Sequence, residues 1–397
     1  MLKYYEPILN LSDPIHHNTM GVIVSLKYPV NGENLRTVVE DLRGRFPYFY
    51  VRAACRDGNP VPIPNDLPMI VRNTWDPISF NSEVSNYPLA AWKYEDHRLA
   101  FEIPHSLTDG AGILPYIKST LYMYLSKATG QAFDPSGFRL LGDAIPESET
   151  EDPFKNLDID GAEAPLYKKK PIPDFFRLVS ETDSDKKVFY LKLPESRVMQ
   201  YCRDNDGSPN VFAAVMLAKA ARRYDPEDEK TITVSVCVDH KAILGNQDNY
   251  RLFAGDVILD FPKDRDLDNI SKACTIARGQ LMLQVQPENS LWEMKQRKRM
   301  LPPLSPDITQ ASICVSYANS RSFGPLDPYI EELYIVTSLS KITDILCEIT
   351  CINHSFFFAF MQPFYSEEYF ECFLEELNSA GISYDVLRSE PLRLSGI

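Results

Sequence analysis

The segment HRLAFEIPHSLTDGAG, residues 97–112, passes from one periodicity to another. Leu99, Phe101 and Ile103 alternate with Ala100 and Glu102, the period of a half-buried strand. That strand closes on His105. Ser106, Thr108 and Asp109 are turn formers, and Gly110 and Gly112 permit a tight turn. Directly after them, ILPYIKSTLYMYLSK (113–127) places Ile113, Ile117, Leu121, Tyr124 and Leu125 on one side of a helix. Pro115 falls in the first turns, where a missing N–H does little harm. The segment predicts a strand, a turn and a helix, with an imidazole at the strand tip clamped by packing on both sides. The chain has six histidines, and chance placement would give about 0.02 copies of His-x-x-x-Asp-Gly.

A neutral imidazole takes a proton from a hydroxyl, amine or thiol while that group attacks an activated carbonyl. Its other ring nitrogen needs a fixed partner, and a local backbone carbonyl serves. Asp109 has two uses: partner of the ring, or brace of the loop through an arginine. An Asp-Gly turn favours the brace. A core or turn histidine beside an ordinary helix N-cap has the same spacing.

The first half predicts a strand over 20–28, a helix over 32–46 and a buried strand over 46–55, the last from its aromatic and β-branched content. The second half predicts strands over 188–193, 231–239, 310–318, 345–352 and 355–362. Helices are expected over 195–205, from the Ser208 cap to 224, over 267–284, and from a Ser366 cap to a Gly381 stop. Residues 134–186 are rich in proline and turn formers without periodicity, as in a long connection. The expected organisation is an N-terminal domain over 1–133, a crossover over 134–186 and a C-terminal domain over 187–397. The fold class is α/β of the α+β type, mixed sheets with packed helices.

The net charge of −14 argues against a nucleic-acid binder or a polybasic membrane-surface protein. The apolar run over 356–361 is far too short to span a bilayer, and the N-terminal stretch lacks the pattern of a signal peptide. The eight cysteines show no framework spacing and no Cys-x-x-Cys. They are expected to be reduced and buried, in a cytoplasmic protein. The histidines, His16-His17 included, do not cluster with cysteines or carboxylates at ligand spacing, so no metal site is expected.

The His-x-x-x-Asp-Gly segment resembles the CoA-dependent acyltransferase superfamily. That superfamily includes chloramphenicol acetyltransferase, the condensation domains of peptide synthetases, plant acyltransferases and microbial alcohol acetyltransferases. The nearest likeness is to the alcohol-acetyltransferase-like bacterial members. CVSYANSRSFG (314–324) looks like the strand and turn from which relatives point a small hydroxyl residue at the oxyanion. VSVCVDHKAIL (234–244) looks like the strand that ends in Asn/Asp-x-Arg. Pro104 stands where condensation domains carry a further histidine, and of the plant Asp-Phe-Gly-Trp-Gly only Phe323-Gly324 is present.

The resemblance implies two chloramphenicol-acetyltransferase-like domains with a tunnel between them, where a thioester donor and an acceptor meet. It implies His105 as general base, Asp109 as structural brace, Gly110 as a motif turn residue and Ser316 as oxyanion donor. Tyr317 and Asn319 are candidates to line the pocket. Coenzyme A carries phosphates, and two basic clusters qualify to meet them: Lys168, Lys169 and Lys170, and Lys295, Arg297, Lys298 and Arg299. Each is equally readable as a solvated run. The expected activity is transfer of an acyl group, an acetyl in the first instance, from CoA to a small-molecule hydroxyl or amine. Acyl-CoA is a co-substrate, and no cofactor is permanently bound. Two alternatives stand beside it: an acyl donor on the phosphopantetheine of a carrier protein, and a non-catalytic binding relative of the same fold.

Overall fold

A computed structural model describes residues 18–56, 59–170, 172–178, 186–299, 311–318, 322–339 and 343–396, without the side chains of 56, 59, 60 and 297–299. The first half runs β1 (Thr19–Leu26), α1 (Gly32–Asp41), β2 (Val51–Arg56), β3 (Asn59–Pro64), β4 (Ile70–Asn73), β5 (Ala91–Glu95), β6 (Arg98–Pro104) and α2 (Gly110–Thr129). Beyond the crossover come β7 (Lys187–Pro194), α3 (Glu195–Asp204), α4 (Pro209–Tyr224), β8 (Ile232–Asp239), α5 (His240–Leu244), β9 (Ala254–Phe261), α6 (Ile270–Gln284) and α7 (Pro287–Arg299). Then follow β10 (Ala311–Ala318), β11 (Ile330–Thr337), β12 (Thr343–Ile352), β13 (Ser355–Gln362), α8 (Glu368–Ser379) and β14 (Asp385–Pro391).

Two mixed sheets carry the fold. One has five strands in the order β11-β1-β6-β5-β4, the other seven in the order β14-β7-β13-β12-β10-β8-β9. Strand β10 runs parallel to both β8 and β12, while β12, β13 and β7 are antiparallel neighbours. Alternation divides the larger sheet into two faces. Ile313, Val315, Ile345, Cys347, Ile349, Phe358 and Phe360 bury against α4 and α8 in one core. Cys314, Leu346, Phe357, Ala359 and Met361 turn the other way and join the core of the five-stranded sheet, α1 and α2. Side chains at even positions of β10 and β12 therefore lie between the two sheets.

The local chemistry of the helices matches the sequence. Ser208 caps α4 by accepting from Val211 N, with Pro209 at the first helical position. Gly381, at φ +67°, ends the turn after α8. Ser366 lies one residue outside the cap of α8, which is Glu367, and accepts from Glu368 N.

Three regions differ from expectation. Residues 46–50 do not extend the predicted strand; Pro47–Phe49 form a 3-10 turn and the strand begins at Val51. Pro47 offers no N–H to a ladder, and the turn lays the Phe49 ring on Tyr116, 4.9 Å between centroids. The basic cluster after residue 286 lies on helix α7, which periodicity did not announce. Strand β11 belongs by sequence to the expected C-terminal domain, yet pairs antiparallel with β1 at the edge of the five-stranded sheet. The chain returns to that sheet once more after β14: Thr19 Oγ1 donates to Ser395 O at 2.7 Å, and Ser395 N donates to Glu102 at 3.0 Å.

The eight cysteines are free, and Cys55 is exposed rather than buried. Among the described residues no helix is long and apolar enough to cross a membrane, and no group of His, Cys, Asp and Glu is arranged to hold a metal ion.

Candidate active site

His105 follows the last residue of β6, and its backbone N–H donates to Asn18 O at 2.8 Å beside β1. The half-buried ring is fixed by its own loop: Nδ1 lies 2.8 Å from the carbonyl oxygen of Thr108. A carbonyl only accepts, so Nδ1 carries a proton, and Nε2 is the accepting nitrogen of the neutral ring. The loop is tied down by Tyr48, whose OH donates to Leu107 O at 2.5 Å. Burial, opposed by Arg251, pushes the Tyr48 phenol up to about 12, which keeps it a donor.

Asp109 faces away from the imidazole. It caps α2, accepting from Gly112 N at 2.8 Å, and its second oxygen accepts from Phe253 N at 2.8 Å. Lys241 Nζ lies 2.5 Å from Asp109 Oδ1, with the Lys241 side chain fully buried. The cation of the brace is thus a lysine, the third residue of Asp239-His240-Lys241, where an arginine was expected. Lys241 also donates to the carbonyls of Asn249 and Arg251, both at 3.2 Å. The same 249–251 segment grips the crossover: Tyr250 N donates to Glu149 O at 2.8 Å and Arg251 Nε to Thr150 O at 2.7 Å. Glu149, 2% exposed, receives a forked pair from Arg45 at 2.7 and 2.8 Å, and Tyr250 OH at 2.7 Å. A continuous polar path therefore runs from the motif through Lys241 and the crossover to the first half.

The two motif glycines act through closeness, since neither has a left-handed backbone. A Cβ on Gly110 would press on Ile335 Cδ1 at 3.3 Å and approach Ala318 at 3.8 Å, so the turn sits over the end of β10. A Cβ on Gly112 would overlap the Tyr250 carbonyl oxygen and sit 2.8 Å from Thr108 Oγ1. Gly112→Ala is therefore expected to lower stability by about 1–3 kcal/mol in urea unfolding, while Gly110→Ala has the smaller effect.

Ser316 lies on the face of β10 that looks toward the five-stranded sheet, in register with Glu348 of β12, which makes the two side chains neighbours across the ladder. His105 stands within electrostatic reach of the Glu348 carboxyl. Glu348 thus joins the two sequence candidates in space, and it was missed. The available signal was a lone acid inside the otherwise apolar or small DILCEITCI, where a charge does not belong without a reason. Tyr317 points to the opposite face, packing on Phe356 at 5.8 Å between ring centroids, so it does not share the side of His105. Asn319 lies outside the described residues, as do His16, His17 and the side chains of Arg297, Lys298 and Arg299. His354 occupies the exposed β12–β13 turn.

Two of the basic candidates meet. Lys168 Nζ from the crossover and Lys295 Nζ from α7 lie 5.3 and 5.8 Å from the ring centroid of Trp292. Lys169 is paired with Asp260 at 3.0 Å, and Lys170 is exposed.

No protein-family model matches the chain, and no curated protein matches its sequence. Solved structures match it in shape. The first condensation domain of the CDA synthetase superposes with a TM-score of 0.63 at 13% identity, covering 95% of each chain. Polyketide synthase associated protein 5 from Mycobacterium tuberculosis gives 0.61 at 15% identity, over 90% of this chain and 92% of that one. TRI101 of F. sporotrichioides, complexed with coenzyme A and T-2, gives 0.59 at 10% identity, over 96% and 99%. The chain therefore has the fold that these three solved structures share.

Proposed function

We propose that this protein is an acyltransferase, moving an acyl group, in the first instance acetyl, from a CoA thioester to the hydroxyl or amine of a small acceptor. The observation that carries the reading is the fixing of His105: Nδ1 is committed to the Thr108 carbonyl, which makes Nε2 of the neutral ring the nitrogen that can accept a proton. The acceptor's proton passes to Nε2 as its oxygen or nitrogen bonds to the thioester carbonyl carbon. The tetrahedral intermediate carries the negative charge on the former carbonyl oxygen. Ser316 is the candidate donor to it, and such a donor contributes about 3 kcal/mol in an acyl-transfer site. Collapse re-forms the carbonyl and expels the thiolate, and the proton gained by His105 balances the charge. Asp109 holds the loop and does not take part. Release of free thiol from acetyl-CoA, followed with a panel of alcohols and amines, tests the reading; acceptor-independent or absent release overturns it.

Free CoA is favoured over a carrier-bound donor by the Lys168–Trp292–Lys295 group. An indole beside two ammonium groups suits an adenine ring and its phosphates. Met294 of the same helix belongs to one apolar cluster with Phe253, whose amide holds Asp109. The double variant Lys168→Ala/Lys295→Ala is expected to raise KM for acetyl-CoA about tenfold, an effect that shrinks at high salt, and to leave kcat within twofold. Acetyl-pantetheine, which lacks the nucleotide, is expected to show no change. A carrier-protein donor predicts the reverse: acetyl-CoA and acetyl-pantetheine equally poor, an acylated carrier good.

A further inference from the structure

Glu348 is a carboxyl group that acyl transfer by His105 alone leaves unused. It sits mid-way along β12, 7% exposed, flanked by Cys347 and Ile349 and opposed by Ala359 of β13. Thr337 Oγ1 of β11 donates to its Oε1 at 3.2 Å, and Ser316 of β10 is its neighbour across the ladder. The groups around it that can change charge are His105 beyond β6, Cys237 of β8, Cys314 of β10 and Cys347 on its own strand. The Cys237 and Cys314 sulfurs lie 3.6 Å apart; that contact and burial hold the Cys237 thiol well above its ordinary range, and burial does the same for Cys347. Among the described residues no lysine or arginine pairs with Glu348.

An ionised carboxylate so placed would be desolvated without a cation. Burial holds the Glu348 carboxyl above the ordinary carboxylate range, against the opposing pull of Ser316, His105 and Thr337. A carboxyl that keeps its proton would leave the imidazole free to accept another. Once His105 has accepted it, the new positive charge favours ionisation of Glu348. The base and the acid are thus coupled in the order that acyl transfer requires.

We propose that Glu348 is the general acid of the site, set opposite His105 to protonate the sulfur that leaves the tetrahedral intermediate. The inference rests on the acyl-transfer reading. The C–S bond breaks with its electron pair going to sulfur, sulfur takes the carboxyl proton of Glu348, and the oxyanion re-forms the carbonyl. The imidazolium then gives its proton to the Glu348 carboxylate, directly or through the Ser316 hydroxyl, and both groups return to their starting forms.

The test compares leaving groups. Glu348→Gln keeps the shape and the hydrogen bonds but has no proton to give. Transfer from acetyl-CoA, an alkyl thioester, falls about tenfold, below the usual range for general acids because a thiolate departs more readily than an alkoxide. Transfer from an aryl thioester, whose thiolate leaves unaided, stays within twofold. Wild-type activity with acetyl-CoA declines as pH rises through the ionisation of Glu348, and the glutamine variant lacks that limb. In infrared spectra of protein carrying isotope-labelled glutamate, the wild type shows the carbonyl band of a protonated carboxylic acid at neutral pH and the glutamine variant lacks it. An equal loss on both thioesters, no loss on either, or absence of the acid band overturns the proposal alone. Wild-type protein that turns over neither thioester overturns acyl transfer itself, and this inference with it.

Discussion

Replacing His105 by alanine lowers thiol release from acetyl-CoA at least about 100-fold and leaves the protein folded. Both halves of that expectation follow from the site. The substitution removes the proposed base, so the loss is expected to fall on kcat with every acceptor. The structural work around it is done by others: Asp109 caps α2 and holds Phe253, Tyr48 holds Leu107, and the His105 backbone N–H still reaches Asn18. What disappears is one ring–carbonyl hydrogen bond on a half-buried side chain, worth about 1 kcal/mol. Circular dichroism and the thermal midpoint are expected to stay near wild type. A folded alanine variant with unchanged turnover would falsify the assignment of the base.

Lys241→Met gives the largest expected loss of stability, about 3–5 kcal/mol in urea unfolding. The methionine fills the volume but strands Asp109, a carboxylate 4% exposed, with two amide donors and no cation. It also takes the donor from the Asn249 and Arg251 carbonyls. Adding Asp109→Asn removes the stranded charge, so the double variant is expected to be more stable than Lys241→Met alone. Activity falls in the single variant because the loop that orients the imidazole loses its anchor in the second half. A single variant within about 0.5 kcal/mol of wild type contradicts the role of brace given to Asp109.

The sequence disclosed what periodicity and turn chemistry encode locally. The strand into His105, the helix out of it, the Ser208 cap and the alternation of Ser316 against Tyr317 are all written within a few residues of each other. Tyr317 is a pocket candidate by sequence yet packs with Phe356 in the other core, because alternation says which residues share a face and not which face meets the site. Lys241 and Glu348 escaped for another reason. Their meaning depends on pairings across 132 residues and across the seam between sheets, and no local pattern carries that information. Strand β11 illustrates the same limit: its residues look like any strand, and only the assembled sheet shows which half claims it. The Lys168–Trp292–Lys295 group was half legible, since both basic clusters were visible and the indole between them was not.

The loan of β11 to the sheet of the other half has a practical outcome for anyone who would take the molecule apart. A gene split within the crossover yields a first fragment whose β1 edge is bare, with its hydrogen-bonding groups and the apolar neighbours of Leu333 and Ile335 open to water. Its counterpart carries a homeless ribbon. Neither piece is a module to be swapped into a chimera at a linker. Expressed together, they are expected to find each other and co-purify, and expressed singly, to precipitate.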